Sequence, residues 1–161
     1  MRKELQTQLY QKYPKIFKEK DLDITLSAMG WGFQCDDGWY NLLDNLCRDI
    51  QSYIDNNKKV KQVIATTVKE KYGTLRFYYT GGDDEINDMV NLAEDLSGEI
   101  CEICGSTRKV KRNIEGYIQT RCRRCRIKKV IRDIIDDFYY SNLYDIKIFL
   151  INIIDKITGR K

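Results

Sequence analysis

Histidine is absent from the 161 residues. That excludes imidazole general acid–base chemistry, Ser-His and Cys-His nucleophile pairs, and any histidine metal ligand. An enzyme made from this chain would have to work with Asp, Glu, Lys, Tyr or Cys alone, so the balance falls on a non-catalytic protein. Proline occurs once, as Pro14, and no Ser-rich tract suggests a long disordered linker. No continuous apolar run of the signal-peptide kind opens the sequence. The most apolar stretch, Ile146 to Ile154, is interrupted by Lys147 and Asn152. It falls short of the roughly 20 apolar residues that a membrane span needs. No internal repeat is visible. The expectation is a cytoplasmic protein without a membrane partner, in a compartment where thiols stay reduced and bind metal rather than pair as disulfides.

Charge is unevenly placed. Gly81 to Ile100 holds seven acidic residues and no Lys or Arg, whereas Cys101 to Arg132 holds eleven Lys or Arg against two acidic residues. Two solvated faces would account for this, and so would an anion-binding surface near the basic segment.

The apolar pattern predicts an α+β fold: an antiparallel hairpin packed with helices, a cysteine ribbon or knuckle, and a long C-terminal helix. Leu5, Leu9 and Tyr13 predict a helix over 3–13, with Pro14 ending or kinking it. Residues 21–38, rich in Gly and Trp, read as a turn or short strand. Trp39, Leu42, Leu43, Leu46, Ile50, Tyr53 and Ile54 predict a helix from Trp39 to Asp55, capped by Asp36 or Asp37. Val60 to Val68 and Leu75 to Thr80 read as strands joined at Tyr72-Gly73. Each face of the first strand is mixed in character, so alternation does not assign its register. Asp83 and Asp84 start a further helix that ends at Ser97-Gly98. Ile131, Ile134, Ile135, Phe138, Tyr139, Leu143 and Ile146 keep helical spacing, although 143–151 also fits a strand. Residues 146–157 are apolar on more than one side, which requires burial or pairing with another subunit. The expected organisation is a core over 1–98, a ribbon insert over 99–130, and a C-terminal helix over 131–161 that serves the core or an oligomer.

Cys101-x-x-Cys104 and Cys122-x-x-Cys125 are separated by 17 residues. Two such pairs fit a Cys₄ site for structural Zn²⁺, because each turn converges two thiolates and four leave no open position for a substrate. Lys109 to Lys111 and Tyr117 to Thr120 are the expected ribbon strands, with the turn over Asn113 to Gly116. Arg121, Arg123, Arg124 and Arg126 crowd the second pair, where positive charge favours thiolates. Of the two remaining cysteines, Cys47 reads as a buried thiol and Cys35, beside Asp36, as a more exposed one.

The string Lys69-Glu70-Lys71-Tyr72-Gly73-Thr74-Leu75-Arg76-Phe77-Tyr78 precedes Cys101-Glu102-x-Cys104-Gly105 and Gly116-Tyr117-x-x-Thr120-x-Cys122. In this order the motifs resemble a group of small uncharacterised proteins encoded by bacteriophages and prophages, over about residues 30–126. The resemblance implies a phage accessory protein acting on host defence, and it carries over no catalytic residue.

Three functions follow as expectations. The first is a non-catalytic binder of a phosphate-bearing ligand, a signalling nucleotide or a nucleic acid, that counteracts host defence by sequestration. Its ligand residues would be Lys69, Lys71, Tyr72, Arg76, Tyr78, Arg121, Arg123 and Arg124, since cations beside aromatic rings hold phosphates and stack bases. The second is an interaction module, with a homo-oligomer or a host defence protein as partner, assembled through the C-terminal helix. The third is a nuclease or nucleotide hydrolase using acids among Asp36, Asp37, Glu70, Asp83 and Asp84. Adjacent acids in loops more often cap helices than bind a metal pair.

Overall fold

A computed structural model describes residues 1–113 and 116–158, with 141–158 as backbone only. The fold is α+β. In chain order it runs α1 (Lys3–Lys12), two single-turn 3₁₀ segments (Ala28–Trp31 and Asp37–Trp39), α2 (Tyr40–Asn56), β1 (Ile64–Lys71), β2 (Thr74–Thr80), α3 (Asp84–Ser97), β3 (Val110–Arg112), β4 (Thr120–Cys122) and α4 (Arg123–Thr158). The chain divides into two units, Met1–Cys125 and Arg126–Lys161. Among the described residues no helix is long and apolar enough to cross a membrane.

The first unit is built on a two-stranded antiparallel sheet, β1 with β2. Such a hairpin is marginal alone, and its edges must be covered. Side chains of α3 close the β2 edge: Leu75 N–H donates to Ser97 Oγ at 2.8 Å and Phe77 N–H to Glu94 Oε1 at 2.9 Å. Backbone closes the other edge, with Gln34 N–H donating to Val68 O, Glu70 N–H to Gln34 O, and Ala65 N–H to Ile16 O. α3 packs on β2 and α2 packs on α3, and both bury apolar faces in one core cluster, α2 through Leu43, Leu46, Cys47 and Ile50 and α3 through Ile86, Val90 and Ala93. Phe17, Met29, Phe33 and Trp39 belong to the same core cluster.

The mixed faces of β1 have a cause. The ladder slips between Ala65 and Thr67. The extra residue, Thr66, resets the alternation so that Ala65 and Val68 both reach the core. The strand begins at Ile64, later than Val60, because Val60 N–H closes a turn onto Asn57 O. Asp83 caps α3 as expected, its carboxylate accepting from Ile86 N–H at 3.2 Å.

Of the turn or short strand expected over 21–38, the turn forms: these residues hold 3₁₀ turns and a single parallel bridge from Gln34 to Lys69. Two expectations need correction. Neither Asp36 nor Asp37 caps α2, since the Asp37 carboxylate accepts from the Arg2 backbone N–H and guanidinium. Cys35 is buried, because the Gln34 bridge draws its loop against β1 and the N-terminal ammonium caps the Cys35 carbonyl. Burial pushes its thiol up to about 12. The 143–151 stretch, open between helix and strand, has a helical backbone within α4. The side chains of 146–157 lie outside the described residues.

Candidate metal centre and adjoining groove

The two cysteine turns converge. All four Sγ atoms of Cys101, Cys104, Cys122 and Cys125 lie within 4.8 Å of one another, so the set is positioned to hold a metal ion. The Cys104 and Cys122 sulfurs are 3.7 Å apart. A tetrahedral ion with bonds of about 2.3 Å to sulfur requires edges of about 3.8 Å, whereas a disulfide brings its sulfurs to about 2 Å. Cys104 is on the surface and the other three are buried.

Local structure explains the convergence. The first knuckle is closed by Gly105 N–H donating to Cys101 O at 2.8 Å and Cys101 N–H to Ser106 O at 2.9 Å. The second pair straddles the junction of β4 and α4, so Cys122 ends the strand and Cys125 lies in the first helical turn. The positive end of the helix dipole therefore faces thiolate sulfur. Burial opposes ionisation of Cys122, but the Cys125 N–H and the neighbouring thiols hydrogen-bond its sulfur and bring it down to about 7. Burial raises Cys125, and its contacts with the other three thiols add to this. Burial also raises Cys104, against hydrogen bonds from Ser106 N–H and Cys125 that lower it. One thiolate thus forms readily and discourages the next, a conflict that a central cation removes.

The ribbon pairs Val110 with Cys122, Lys111 with Arg121 and Arg112 with Thr120. Both strands sit further along the chain than the spacing predicts, because β4 runs into its own ligand. Part of the expected turn, 114–115, lies outside the described residues.

The knot is bonded to the core. Gly38 N–H donates to Glu102 O at 2.7 Å, Asp36 N–H to Glu102 Oε1 at 3.1 Å, and Trp39 Nε1–H to Ile100 O at 3.0 Å. From the other side, Thr120 Oγ1 donates to Gly73 O at 2.5 Å. Glu102 is 3% exposed, and burial pushes its carboxyl up to about 7. Its Oε2 and the Nε of Arg121 are buried with no hydrogen-bond partner among the described residues. Gly38 and Trp39 lie outside the cysteine motifs, and Glu102 and Thr120 lie within them without being metal ligands. Their role depends on contacts between distant parts of the chain.

Beside the knot, the hairpin turn and the ribbon turn enclose a groove of about 450 Å³ lined by Lys69, Glu70, Lys71, Tyr72, Gly116, Tyr117 and Ile118. Tyr72 and Gly73 both have positive φ, 53° and 79°, as a two-residue hairpin turn requires. Tyr72 and Tyr117 are mostly exposed. Lys71 Nζ lies 5.6 Å from the centroid of the Tyr72 ring and Lys69 Nζ lies 5.7 Å from that of Tyr78. Glu70 is occupied, its carboxylate accepting from Gly73 N–H at 2.5 Å and from the Tyr117 hydroxyl at 2.8 Å. Among the described residues no carboxylate pairs with Lys69 or Lys71.

The sequence-predicted ligand residues are partly gathered. Lys69, Lys71 and Tyr72 line the groove. Register places Lys69 opposite Arg76 and Thr67 opposite Tyr78, so Arg76 and Tyr78 share the outer hairpin face with the lysines. Neither lines the groove, and Arg76 is engaged with Glu94 at 3.3 Å. Arg121 lies on β4, while Arg123 and Arg124 open α4, exposed. Tyr117 and Ile118 are groove residues that the spacing did not single out. The available signal was the Gly116-Tyr117 pair ahead of the second cysteine turn. No protein-family model matches this chain, and no curated protein or solved structure matches it either.

Proposed function

We propose that the protein is a non-catalytic, zinc-stapled binder of a phosphate-bearing ligand, held in the groove between the hairpin and ribbon turns. The observation that supports this most is the pair of lysines, Lys69 and Lys71, which have no carboxylate partner among the described residues and line a groove with the exposed rings of Tyr72 and Tyr117. Among the described residues the one groove carboxylate, Glu70, is satisfied by the protein. A groove of this size takes a nucleotide, or one nucleotide of a strand. Zinc is the metal of choice for four thiolates in a tetrahedron, and with every position filled by sulfur its part is structural. The phage resemblance suggests the setting: a host cytoplasm in which the protein sequesters a signalling nucleotide and so blunts a defence.

Titration with mononucleotides, cyclic and linear dinucleotides, and short oligonucleotides tests this reading. Binding should be lost by about tenfold or more in Lys69→Glu/Lys71→Glu, with the ligand recovered unaltered. A steep fall with salt across oligonucleotides would identify nucleic acid as the ligand. Absence of binding to every phosphate-bearing probe, or recovery of a cleaved product, contradicts it.

Tyr72→Asn separates recognition from folding. Asparagine tolerates positive φ better than tyrosine, so thermal stability should hold or rise by up to about 1 kcal/mol. Ligand affinity should fall by about 1–3 kcal/mol through the lost ring. Parallel melting and titration curves check both.

A further inference from the structure

The described part of the second unit is a single helix with an apolar stripe in solvent. At 3.6 residues per turn, Ile127, Val130, Ile131, Ile134 and Ile135 fall on one side of α4, each between 48% and 62% exposed, and Phe138 continues the row. A stripe of this length in water marks an interface.

Two features say what covers it. The apolar positions are symmetric about the point between Arg132 and Asp133. Ile131 and Ile134 are equally far from it, as are Val130 and Ile135, and Ile127 and Phe138. A two-fold axis through that point, perpendicular to the helix, sets each of these side chains level with an apolar one from a second copy.

Charge then fixes the direction. Ahead of the point stand Arg126, Lys128, Lys129 and Arg132 with no acidic residue among them; beyond it stand Asp133, Asp136 and Asp137, with no basic residue before Lys147. Packed helices lie about 8–10 Å apart, close to the Debye length of about 8 Å at physiological ionic strength. Parallel pairing would lay the basic half on the basic half, whereas antiparallel pairing lays basic on acidic. Arg126 and Asp137 lie on the same flank of the stripe. The two-fold brings Arg126 of one copy to within about 3 Å, along the axis, of the level of Asp137 in the other. The Lys129–Asp133 ion pair, 2.7 Å, sits on the far side of the helix and need not break. We propose that α4 pairs antiparallel with α4 of a second copy of this chain about a two-fold axis at Arg132 and Asp133. This pairing is independent of the ligand reading.

Sedimentation of the full chain over a range of concentrations tests it, with three variants. One reverses the basic block (Lys128→Glu, Lys129→Glu, Arg132→Glu), one reverses the acidic block (Asp133→Lys, Asp136→Lys, Asp137→Lys), and one carries both exchanges. The wild type and the double exchange should dimerise. Each single-block variant should associate at least about tenfold more weakly, because both halves then carry one sign. An equimolar mixture of the two single-block variants should restore the dimer, which also shows that both are folded. A wild type that stays monomeric at every concentration, whether or not another protein binds α4, overturns the proposal. Single-block variants that associate as tightly as the wild type overturn it as well, since like halves would already face each other in a parallel pair.

Discussion

Gly38→Ala is expected to destabilise the first unit by about 3 kcal/mol, which lowers the melting temperature by about 10 °C. No catalytic or ligand motif includes Gly38. A methyl group there would stand 2.5 Å from Glu102 O and from Gly105 N, and closer still to Cys101 O. All three are backbone atoms of the first metal knuckle, so no side chain can swing aside. Either the knuckle moves or the 36–39 segment lifts, and the bond from Gly38 N–H to Glu102 O at 2.7 Å breaks with it. Metal affinity should fall together with stability, because the displaced atoms set the direction of two thiolates. Calorimetric melting with metal competition by a chromophoric chelator checks both. A Gly38→Ala protein with an unchanged melting temperature would mean that the knot is not seated on the core as described.

Removing the metal is expected to cost still more. Structural zinc in small sites carries apparent binding energies of the order of 10 kcal/mol, comparable with the whole stability of a domain. Cys101→Ser, or chelation of the wild type, should therefore unfold the ribbon first, across about residues 98–125. The bonds around Glu102 and Thr120 extend the damage to places remote in sequence. Amides of Asp36 to Trp39 should lose protection with the ribbon, since Gly38 N–H and Asp36 N–H both donate to Glu102 and Trp39 Nε1–H donates to Ile100 O. The Tyr72-Gly73 turn should loosen as well, because Gly73 O accepts from Thr120. Hydrogen exchange with mass spectrometry reads these segments directly. Retained protection at 36–39 after complete metal loss would show the ribbon to be an independent appendage. The ligand reading shares this dependence: one wall of its groove, Gly116 to Ile118, belongs to the ribbon, so chelation should abolish binding before the hairpin itself is lost.

What could be read from sequence was local. Two cysteine pairs at knuckle spacing named the four residues positioned to hold a metal, because the convergence of Cys-x-x-Cys is a property of the turn itself. The α2 stripe of Leu42, Leu43, Leu46 and Ile50 and the Asp83 cap of α3 were legible for the same reason. The Tyr72-Gly73 turn was legible because glycine supplies a conformation that few residues tolerate. The register of β1 was not, since one extra residue at Thr66 resets the alternation on which such readings depend. Asp37 looked like a helix cap and became the partner of Arg2, a contact 35 positions away that no local pattern encodes. Cys35 misled in the same way, since its burial follows from a single bridge between Gln34 and Lys69. The groove shows the same division. Its cations and aromatics stood out as a string, but the meeting of Glu70 with Tyr117 across 47 positions, which closes it, is visible only in the folded chain.

A single zinc ion held by Cys101, Cys104, Cys122 and Cys125 is proposed to staple the ribbon to the hairpin core. Native mass spectrometry of the purified chain weighs that ion. One zinc per chain is expected in the wild type and none in Cys104→Ser/Cys122→Ser, with the charge-state distribution of the variant shifted toward an unfolded first unit. A wild-type chain that is folded without metal, or a variant that keeps both its zinc and its compact charge states, would contradict it.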